Sequence, residues 1–245
     1  MFRFFENPSS LLGDKIALSK DNSHHITRVL RIRDDEDFEV VIEGIVYLVN
    51  ISHRGKESIE AEIKDSWEDV NESKLEIHLY QGLPKADKLE LIIQKCIELG
   101  VSEITPFTSS RTIVKWDKKK EEKKIRRYGD IALAAAKQSK RGRLPKINPV
   151  KSFKDLLDSI RGTFSIIAYE NYGEGLRKTL SGFKGHKINI IVGPEGGFSE
   201  EEVRQIHQAN ARIVNLGKRI LRTETAAIAL VAMVQYEIGD INEKI

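Results

Sequence analysis

The sequence INIIVGPEGGFS, residues 188–199, decides the fold of the carboxyl half of the chain. Four of its first five residues are apolar, as in a buried strand, and the seven that follow contain three glycines. Because glycine lacks a Cβ atom, such a turn lets the backbone bend tightly and lets another molecule approach it closely. Ser199 and Glu202 have the spacing of a capping box, which predicts a helix after the turn. We therefore predict a strand, a ligand-admitting turn and a helix; an ordinary strand-to-helix turn is the alternative.

A phosphate-binding loop is the first specific function to consider for this turn, because the free N–H groups of a helix start suit an anion. The sequence disfavours that function. Neither the G-x-G-x-x-G nor the G-x-x-x-x-G-K-[ST] spacing is present, and the turn carries an acidic residue, Glu195, where a phosphate would favour a base.

A second glycine-containing stretch, LGKRILRTETA, occupies residues 216–226. Residues 212–216 have the composition of a short strand, which Gly217 ends. A helix is predicted from Thr223 to Ile238, and its residues 226–234 are all apolar. Such a helix must be covered on every side and is too short to span a bilayer, so we expect a second subunit to cover it. The two stretches should face one another at the carboxyl ends of parallel strands, where open α/β sheets bind ligands.

Together these stretches resemble the RsmE family, the 16S rRNA uridine-N3 methyltransferases of the SPOUT superfamily. The combination is specific, and the resemblance runs nearly from end to end: PKADKLELIIQKCIELGV, residues 84–101, is similar to the start of the family's methyltransferase domain. The resemblance implies that S-adenosyl-L-methionine binds in these loops, that the chain forms a deep trefoil knot, and that the knotted domain forms a homodimer. The single cysteine, Cys96, separately favours a reducing compartment, so we expect a cytoplasmic protein. Periodicity would not predict a knot, because threaded chains are rare.

Three loops are implied by this resemblance to bind the cofactor. Their residues are Ala168, Tyr169, Glu170, Gly193, Pro194, Glu195, Gly196, Gly197, Leu216, Gly217, Ile220, Leu221, Arg222 and Thr225.

Arg222 is the candidate catalytic residue. Methylation at N3 of a uridine requires loss of the N3 proton, so a base or an environment that stabilises the anion is needed. A cation at Arg222 suits the anion, and Glu195 and Glu224 are candidate proton acceptors. The alternative is structural: Arg222 pairs with Glu224 or caps a helix end, and the two glutamates order the loops.

Charge is distributed unevenly along the chain. The 245 residues, enough for two modest domains or one large one, carry a net charge of only +3. The segment from Lys115 to Lys146 contains thirteen Lys or Arg and four acidic residues, so it carries +9 and the remainder carries −6. A localised basic face on a nearly neutral protein is typical of a nucleic-acid binder, and a solvated helix face is the alternative.

The amino-terminal part predicts a small β-barrel with one helix at residues 24–33, on which Ile26, Val29 and Leu30 share a face. A turn is expected at residues 53–57. The predicted strands are residues 38–42, 45–51 and 58–63. In the family this part is a PUA-like RNA-binding domain, so we expect residues 1–72 to form that domain and residues 73–245 to form the SPOUT methyltransferase domain.

The second domain begins with a strand–helix–strand pattern. Residues 75–83 and 101–107 read as strands, and residues 87–100 read as a helix that Asp87 and Glu90 begin with a capping box. Such a unit is a right-handed parallel crossover. The predicted fold class is therefore α/β: a small PUA-like β-barrel followed by a SPOUT domain with a parallel sheet and, by resemblance, a carboxyl-terminal trefoil knot.

A basic helix is expected from about residue 117 to residue 140. The residues predicted to contact 16S rRNA or the 30S subunit are Arg28, Arg31, Lys118, Lys119, Lys120, Arg126, Arg127, Lys140 and Arg141. Arg28 and Arg31 have an alternative role, because the acidic run at residues 34–37 offers them partners.

Several function classes are disfavoured. Cys96 is the single cysteine, which excludes an intramolecular disulfide, and its helical position predicts a buried thiol. The six histidines show no metal-binding spacing, so no metal is expected. We expect neither a signal peptide nor a membrane span.

The sequence therefore predicts an S-adenosylmethionine-dependent methyltransferase acting on N3 of a uridine in 16S rRNA, by resemblance uracil 1498. Two alternatives stay open. One is a nucleotide-phosphate enzyme that uses GPEGG as its anion loop with Lys218 nearby, and the other is an RNA-binding protein without catalytic activity.

Overall fold

The computed structural model describes residues 1–56, 58–114 and 116–242. The chain divides into two compact units. The first contains Met1–Glu72 together with Ala136–Leu144, and the second contains Ser73–Ala135 and the described residues from Pro145 onward. The segment Ala136–Leu144 is therefore an addition to the first unit that a single boundary after residue 72 does not describe.

The first unit is built on a six-stranded sheet with the order β1-β4-β5-β6-β3-β2, in which β1 and β4 are parallel and the other neighbours are antiparallel. The strands are β1 (Arg3–Phe5), β2 (Leu11–Leu12), β3 (Lys15–Ala17), β4 (Phe38–Ile42), β5 (Ile45–Arg54) and β6 (Ile59–Glu68). Glu43 and Gly44 both have positive φ, at 49° and 85°, which is the geometry of a tight hairpin turn between β4 and β5. Glu57, in the predicted turn at residues 53–57, lies outside the described residues.

The helix predicted at residues 24–33 begins earlier and changes type. Helix α1 (Lys20–His24) is capped by Ser19 and continues as a π-helix over His25–Leu30. Because a π-helix bonds residue i to i+5, it rotates side chains away from the positions an α-helix gives them. Ile26 is buried as predicted, whereas Val29 is 60% exposed, so the predicted shared face is wrong for Val29.

Arg3 attaches the segment Ala136–Leu144 to the first unit. Its guanidinium donates to the backbone carbonyls of Lys140 and Arg141 at 2.8 and 3.1 Å, and it contacts the carboxylates of Glu39 and Asp69 at 2.7 and 2.5 Å. The Arg3 side chain is only 4% exposed, and such a buried cation requires this complete set of partners.

The second unit contains a seven-stranded sheet in which every pair of neighbours is parallel, with the order β11-β13-β10-β12-β7-β8-β9. The strands are β7 (Glu76–Gly82), β8 (Val101–Phe107), β9 (Lys146–Ile147), β10 (Ser165–Ala168), β11 (Glu174–Gly175), β12 (Lys187–Val192) and β13 (Arg212–Asn215). All residues of β12 after Lys187 are buried, as expected for a central strand of a parallel sheet.

In the described part of the chain the helices of this unit are α2 (Lys88–Glu98), α3 (Lys118–Gln138, of which the last three residues belong to the first unit), α4 (Phe153–Ile160), α5 (Leu176–Leu180), α6 (Glu200–Gln208) and α7 (Thr223–Ile238). The predicted capping box of α6 is confirmed: Ser199 Oγ accepts from the Glu202 N–H, and the Glu202 carboxylate accepts from the Ser199 N–H. At α2 the corresponding prediction is wrong, because Asp87 makes no side-chain cap bond and the Glu90 carboxylate is turned toward Arg127 at 2.7 Å.

Helix α7 leaves part of its apolar surface open to solvent. Met233 is 37% exposed and Tyr236 is 50% exposed. Cys96, on α2, is buried as predicted, and burial raises the pKa of its thiol. In the described ranges no helix has both the length and the apolar character needed to cross a membrane.

Candidate functional site

A cavity of about 400 Å³ lies in the second unit where the loops after three parallel strands meet. Residues 168–170 begin at the last residue of β10, residues 192–198 begin at the last residue of β12, and residues 216–226 lead from β13 into α7. Because parallel strands end at the same edge of a sheet, side chains far apart in sequence surround one space there.

A hydrogen-bonded group of three residues joins two of these loops. The Gln81 side-chain amide donates to Thr223 Oγ1 at 2.8 Å, and the Thr223 hydroxyl donates to the Gly193 carbonyl at 2.6 Å. Gln81 is fully buried at the end of β7 and Thr223 is 5% exposed, so these bonds form away from competing water. They fix the start of the GPEGG turn against the first residue of α7.

Glycine is required where the backbones approach each other. A Cβ atom on Gly82 would lie 2.4 Å from the backbone nitrogen of Pro194, a separation that no side chain tolerates. Gly197 has a φ of +64° and donates its N–H to the Pro194 carbonyl at 2.8 Å, which closes the turn.

The third loop is tied to the first by Asn215. The Asn215 side-chain amide donates to the Glu170 carbonyl at 3.1 Å, and its Oδ1 accepts from the Gly217 N–H at 2.8 Å. Gly217 has a φ of +98°, a conformation that favours glycine. All three loops are therefore held by specific hydrogen bonds.

Lys88, the first residue of α2, brings a cation to the cavity. Its ammonium lies 3.1 Å from Glu195 Oε1 and 3.4 Å from Glu224 Oε2. Burial acts to raise the pKa of Glu195, but its own backbone N–H, the Lys85 N–H and the Lys88 ammonium outweigh burial and hold the pKa below its ordinary value. The hydrogen bond to Glu195 in turn raises the pKa of Lys88. Both charges are therefore kept at neutral pH.

The cavity contains every residue that the resemblance implied for the cofactor except Thr225. Thr223 lines the cavity in place of Thr225, which is exposed. Residues two apart on a helix point to nearly opposite sides, so only one of the two threonines can face the cavity. Thr225 therefore does not line the cavity, and a contact between Thr225 and the cofactor stays a prediction.

Sequence reasoning missed several lining residues, namely Lys88, Val192, Phe198, Arg219, Thr223 and Ala226. Most are adjacent in sequence to predicted residues, so extending each predicted loop by a residue or two would have included them. Lys88 was not, because nothing in the sequence relates it to loops more than 100 residues away.

Arg222 lines the cavity with an exposed side chain. Its backbone is extended, with φ −66° and ψ 154°, and it occupies the residue before α7. Within the described ranges it makes no ion pair, and Glu224 contacts Lys88 instead. The alternative ion pair between Arg222 and Glu224 is therefore not formed in the described residues.

The predicted RNA-contacting residues differ in their exposure to solvent and in whether they form ion pairs within the protein. Arg28, Arg31, Lys118, Lys119, Lys120, Arg126 and Lys140 are exposed. Arg127 is 60% exposed, but it donates to the Glu90 carboxylate at 2.7 Å. Arg141 is 4% exposed and holds Glu72 at 2.6 and 2.9 Å, so its predicted RNA contact is wrong: this arginine is an internal ion-pair partner. Lys115, which begins the basic segment, lies outside the described residues.

No group of three or more His, Cys, Asp or Glu in the described part of the chain is placed to hold a metal ion.

Comparisons with known proteins match the amino-terminal part and the remainder of the chain to two different family models. A family model described as an RNA methyltransferase domain matches residues 71–235, and one described as an RNA methyltransferase PUA domain matches residues 18–64. Ribosomal RNA small subunit methyltransferase E of Mesomycoplasma hyopneumoniae (strain 232) is 35% identical over 94% of this chain and 97% of its own.

Two solved structures are similar throughout. Ribosomal RNA small subunit methyltransferase E from Neisseria gonorrhoeae, bound to S-adenosyl methionine, matches with a TM-score of 0.87 and 32% identity. The match covers 98% of this chain and 99% of that chain. A methyltransferase from Legionella pneumophila in complex with the same cofactor has a TM-score of 0.87 at 29% identity, with 98% of this chain and 99% of that chain covered.

These matches define the class: the chain is an RNA methyltransferase with a PUA domain. The fold prediction is confirmed in its PUA-like amino-terminal part and its parallel α/β sheet, while the trefoil knot stays a prediction. The chain belongs to the ribosomal RNA small subunit methyltransferase E family, as the two glycine-containing stretches predicted.

Proposed function

We propose that this protein transfers a methyl group from S-adenosyl-L-methionine to N3 of a uridine in 16S rRNA, by family resemblance uracil 1498. The observation that carries the proposal is the cavity where the GPEGG turn, the end of β10 and the loop before α7 converge. Relatives at 32% and 29% identity that are solved with this cofactor support the choice of ligand.

The residues around the cavity fit such a ligand. A volume of about 400 Å³ is within the range of small-molecule sites. Backbone N–H and C=O groups of the glycine-rich turns suit the edge of an adenine and the ribose hydroxyls, and Leu216, Ile220 and Leu221 offer an apolar wall for a ring. Ile220 is 85% exposed in the chain alone, so a bound ring would cover a side chain that otherwise faces water.

When bound, the cofactor supplies an already activated methyl group, so positioning by the protein provides much of the rate. Arg222 is proposed to stabilise the negative charge that develops on uracil as N3 loses its proton. Its side chain is open to the cavity and, within the described ranges, is not engaged by a carboxylate. Glu195 is a poor proton acceptor because its pKa is lowered, so we assign it and Glu224 a structural role.

The exposed basic residues of α3 are proposed to bind the rRNA backbone, and residues 1–72 are proposed to act as a PUA-like RNA-binding domain beside a methyltransferase domain formed by residues 73–245. The partner is proposed to be 16S rRNA or the 30S subunit, in the cytoplasm. We also propose a homodimer through the second domain. The apolar side chains that α7 leaves open, Met233 and Tyr236, support it, and analytical ultracentrifugation measures it.

A nucleotide-phosphate enzyme is less well supported. Lys218, the lysine expected to serve a phosphate, is not among the residues that line the cavity. Lys88 does line it but is shared between two carboxylates. An anion in the GPEGG turn would also meet Glu195.

Mass-spectrometric mapping of small-subunit rRNA from cells with and without this protein tests the proposal. The expected result is a single N3-methyluridine present only when the protein is. Calorimetry should detect binding of S-adenosylmethionine and none of ATP, and labelled methyl groups should reach small-subunit RNA from cells that lack the protein. Binding of the cofactor without transfer would favour an RNA-binding protein that has lost activity.

A further inference from the structure

Among the described residues that line the cavity, Lys88 alone lies neither in a predicted cofactor loop nor next to one. It begins α2, while its two carboxylate partners lie in different loops: Glu195 in the turn after β12 and Glu224 in the first turn of α7. A single ammonium group therefore connects three elements that the chain brings together from distant positions.

The two carboxylates are differently supported. Glu195 also accepts from the Lys85 backbone N–H, at 3.0 and 3.3 Å, so it is fixed to the segment before α2 even without the ammonium. Glu224 is 15% exposed at its side chain, its Oε2 is buried, and the Lys88 ammonium lies beside that atom. Without Lys88, two carboxylates would share one partly buried region with no cation between them, and like charges in such a place repel strongly.

We propose that Lys88 is a positioning residue for the methyl transfer: it clamps the GPEGG turn to the start of α7 at the spacing that forms the cofactor cavity. The inference rests on the proposed function, since the clamp matters only if the cavity binds the cofactor. In this proposal Lys88 contributes by its position in the cavity wall and takes no part in the chemical step. It acts through Glu195 and Glu224, whose backbones carry the loops that line the site.

This role separates binding from chemistry. Arg222 belongs to the loop that Lys88 holds, but its own side chain is not part of the clamp. Loss of the clamp should therefore raise the KM for S-adenosylmethionine more than it lowers kcat, because the loops can still close around saturating cofactor. Loss of a residue needed for proton removal or charge stabilisation would instead lower kcat more than it raises KM.

The test measures the dissociation constant for S-adenosylmethionine by calorimetry, with KM and kcat on small-subunit RNA, in the full-length protein. Lys88→Met should weaken binding roughly tenfold, since it removes the cation from a partly buried pair of carboxylates. Lys88→Arg should stay within about threefold of the parent protein, because it keeps the charge. Lys184→Met, a loss of one exposed charge elsewhere in the second unit, should bind as the parent does.

A rescue variant makes the outcome decisive even if Lys88→Met is poorly folded. In Lys88→Met with Glu224→Gln the repulsion between the carboxylates is removed, so affinity should recover by severalfold over Lys88→Met alone. Equal affinity of Lys88→Met and the parent protein would overturn the proposal, as would a loss that Glu224→Gln fails to repair. Failure of the parent protein to bind S-adenosylmethionine would instead overturn the proposed function, so the two failures are distinguishable.

Discussion

Gly82 and Pro194 bring two loop backbones into direct contact. The hypothetical Cβ of Gly82, 2.4 Å from the Pro194 nitrogen, marks a point where β7 and the turn after β12 touch without side chains between them. Gly196 is closely packed to a lesser degree, since its Cβ would lie 3.1 Å from Arg111 Cβ and 3.3 Å from the Arg111 carbonyl oxygen. The glycines therefore serve the packing of the loops around the cavity, in addition to allowing a ligand to approach.

Gly196→Val is expected to lose most of its affinity for S-adenosylmethionine. The branched side chain would press against Arg111 more closely than an ordinary van der Waals contact. The turn or Arg111 must therefore shift, which weakens the hydrogen bond from Arg111 to the Gly196 carbonyl, at 3.0 Å. A shift of this kind costs about 1–3 kcal/mol, or up to roughly a hundredfold in the dissociation constant measured by calorimetry.

Gly182→Val is the matched control, because no atom lies within 4 Å of the Cβ position at Gly182. Circular dichroism should show that both variants are folded. Retained affinity in Gly196→Val would remove the GPEGG turn from the proposed site.

Single residues show where sequence reasoning ends. The sequence predicted the glycine-rich turns and the cap at Ser199, because each depends on neighbours in the chain. It did not predict Lys88 between Glu195 and Glu224, or the burial of Arg141 against Glu72, because these contacts join residues that only the folded chain brings together. A basic residue in a basic segment looks the same in sequence whether it faces water or an internal carboxylate.

The basic residues of helix α3 are of two kinds: some form ion pairs with α2, and others are exposed to solvent. Lys124 and Arg127 approach the Glu90 carboxylate on α2, at 3.7 and 2.7 Å, and so hold α3 on the body of the second unit. Lys118, Lys119 and Lys120 are exposed in the first turn, where they are available for phosphate groups. The proposed RNA-binding face is therefore narrower than the basic sequence suggests.

Changing Lys118, Lys119 and Lys120 together to Ala should weaken RNA binding and flatten its dependence on salt. Each phosphate contact that is lost reduces the slope of log K against log salt by about 0.7–0.9, so the slope should fall by up to roughly 2–3. Filter binding of small-subunit RNA over a range of salt concentrations measures it.

Three exposed lysines elsewhere in the second unit, Lys74, Lys154 and Lys184, provide a control that removes the same charge. Affinity for S-adenosylmethionine should hardly change in either triple variant. A parallel fall in cofactor affinity would contradict the separation of the RNA surface from the cofactor cavity.

Element boundaries were predictable where the periodicity was simple. Strands β4 and β8 and helix α7 have the limits that the sequence predicted, because each is a continuous apolar or alternating run with a clear end. The helix predicted at residues 24–33 failed because a π-helical turn changes the period within the element. No sequence pattern indicates the additional packing of Ala136–Leu144 on the first unit, since its contacts are with Arg3 and Glu72.

The stability of the whole molecule should depend on a buried histidine in the second sheet. His78 Nε2 and Thr105 Oγ1 lie 2.7 Å apart, and the ring is stacked on Tyr80 with a centroid separation of 4.0 Å. Burial lowers the pKa of His78 to about 4, although the Glu103 carboxylate acts to raise it. The ordinary value, about 6.5, applies to the unfolded chain.

The free energy of unfolding should therefore fall as the pH is lowered from about 6.5 to about 4. Across that range the unfolded state binds a proton at His78 that the folded state does not. The contribution of His78 to the free energy of unfolding is therefore fully present above about pH 6.5, and it declines by up to about 1.4 kcal/mol for each pH unit below that. Chemical denaturation at several pH values measures the slope.

His78→Gln should reduce this slope, because glutamine keeps a polar group near Thr105 but does not titrate. His186→Gln, at an exposed position, should keep the slope of the parent protein. An unchanged slope in His78→Gln would show that other groups control acid sensitivity.

Residues Ala136–Leu144 form a strap that belongs to the first module, although residues of the second module precede and follow it in the sequence. A polypeptide ending at residue 72 would lack the carbonyl groups that Arg3 grips and the guanidinium that Glu72 accepts from. A contiguous fragment that contains one complete module therefore always includes residues of the other. Recombination that exchanged the amino-terminal module between relatives would have to transplant this nine-residue strap as well, which ties the inheritance of the two modules together.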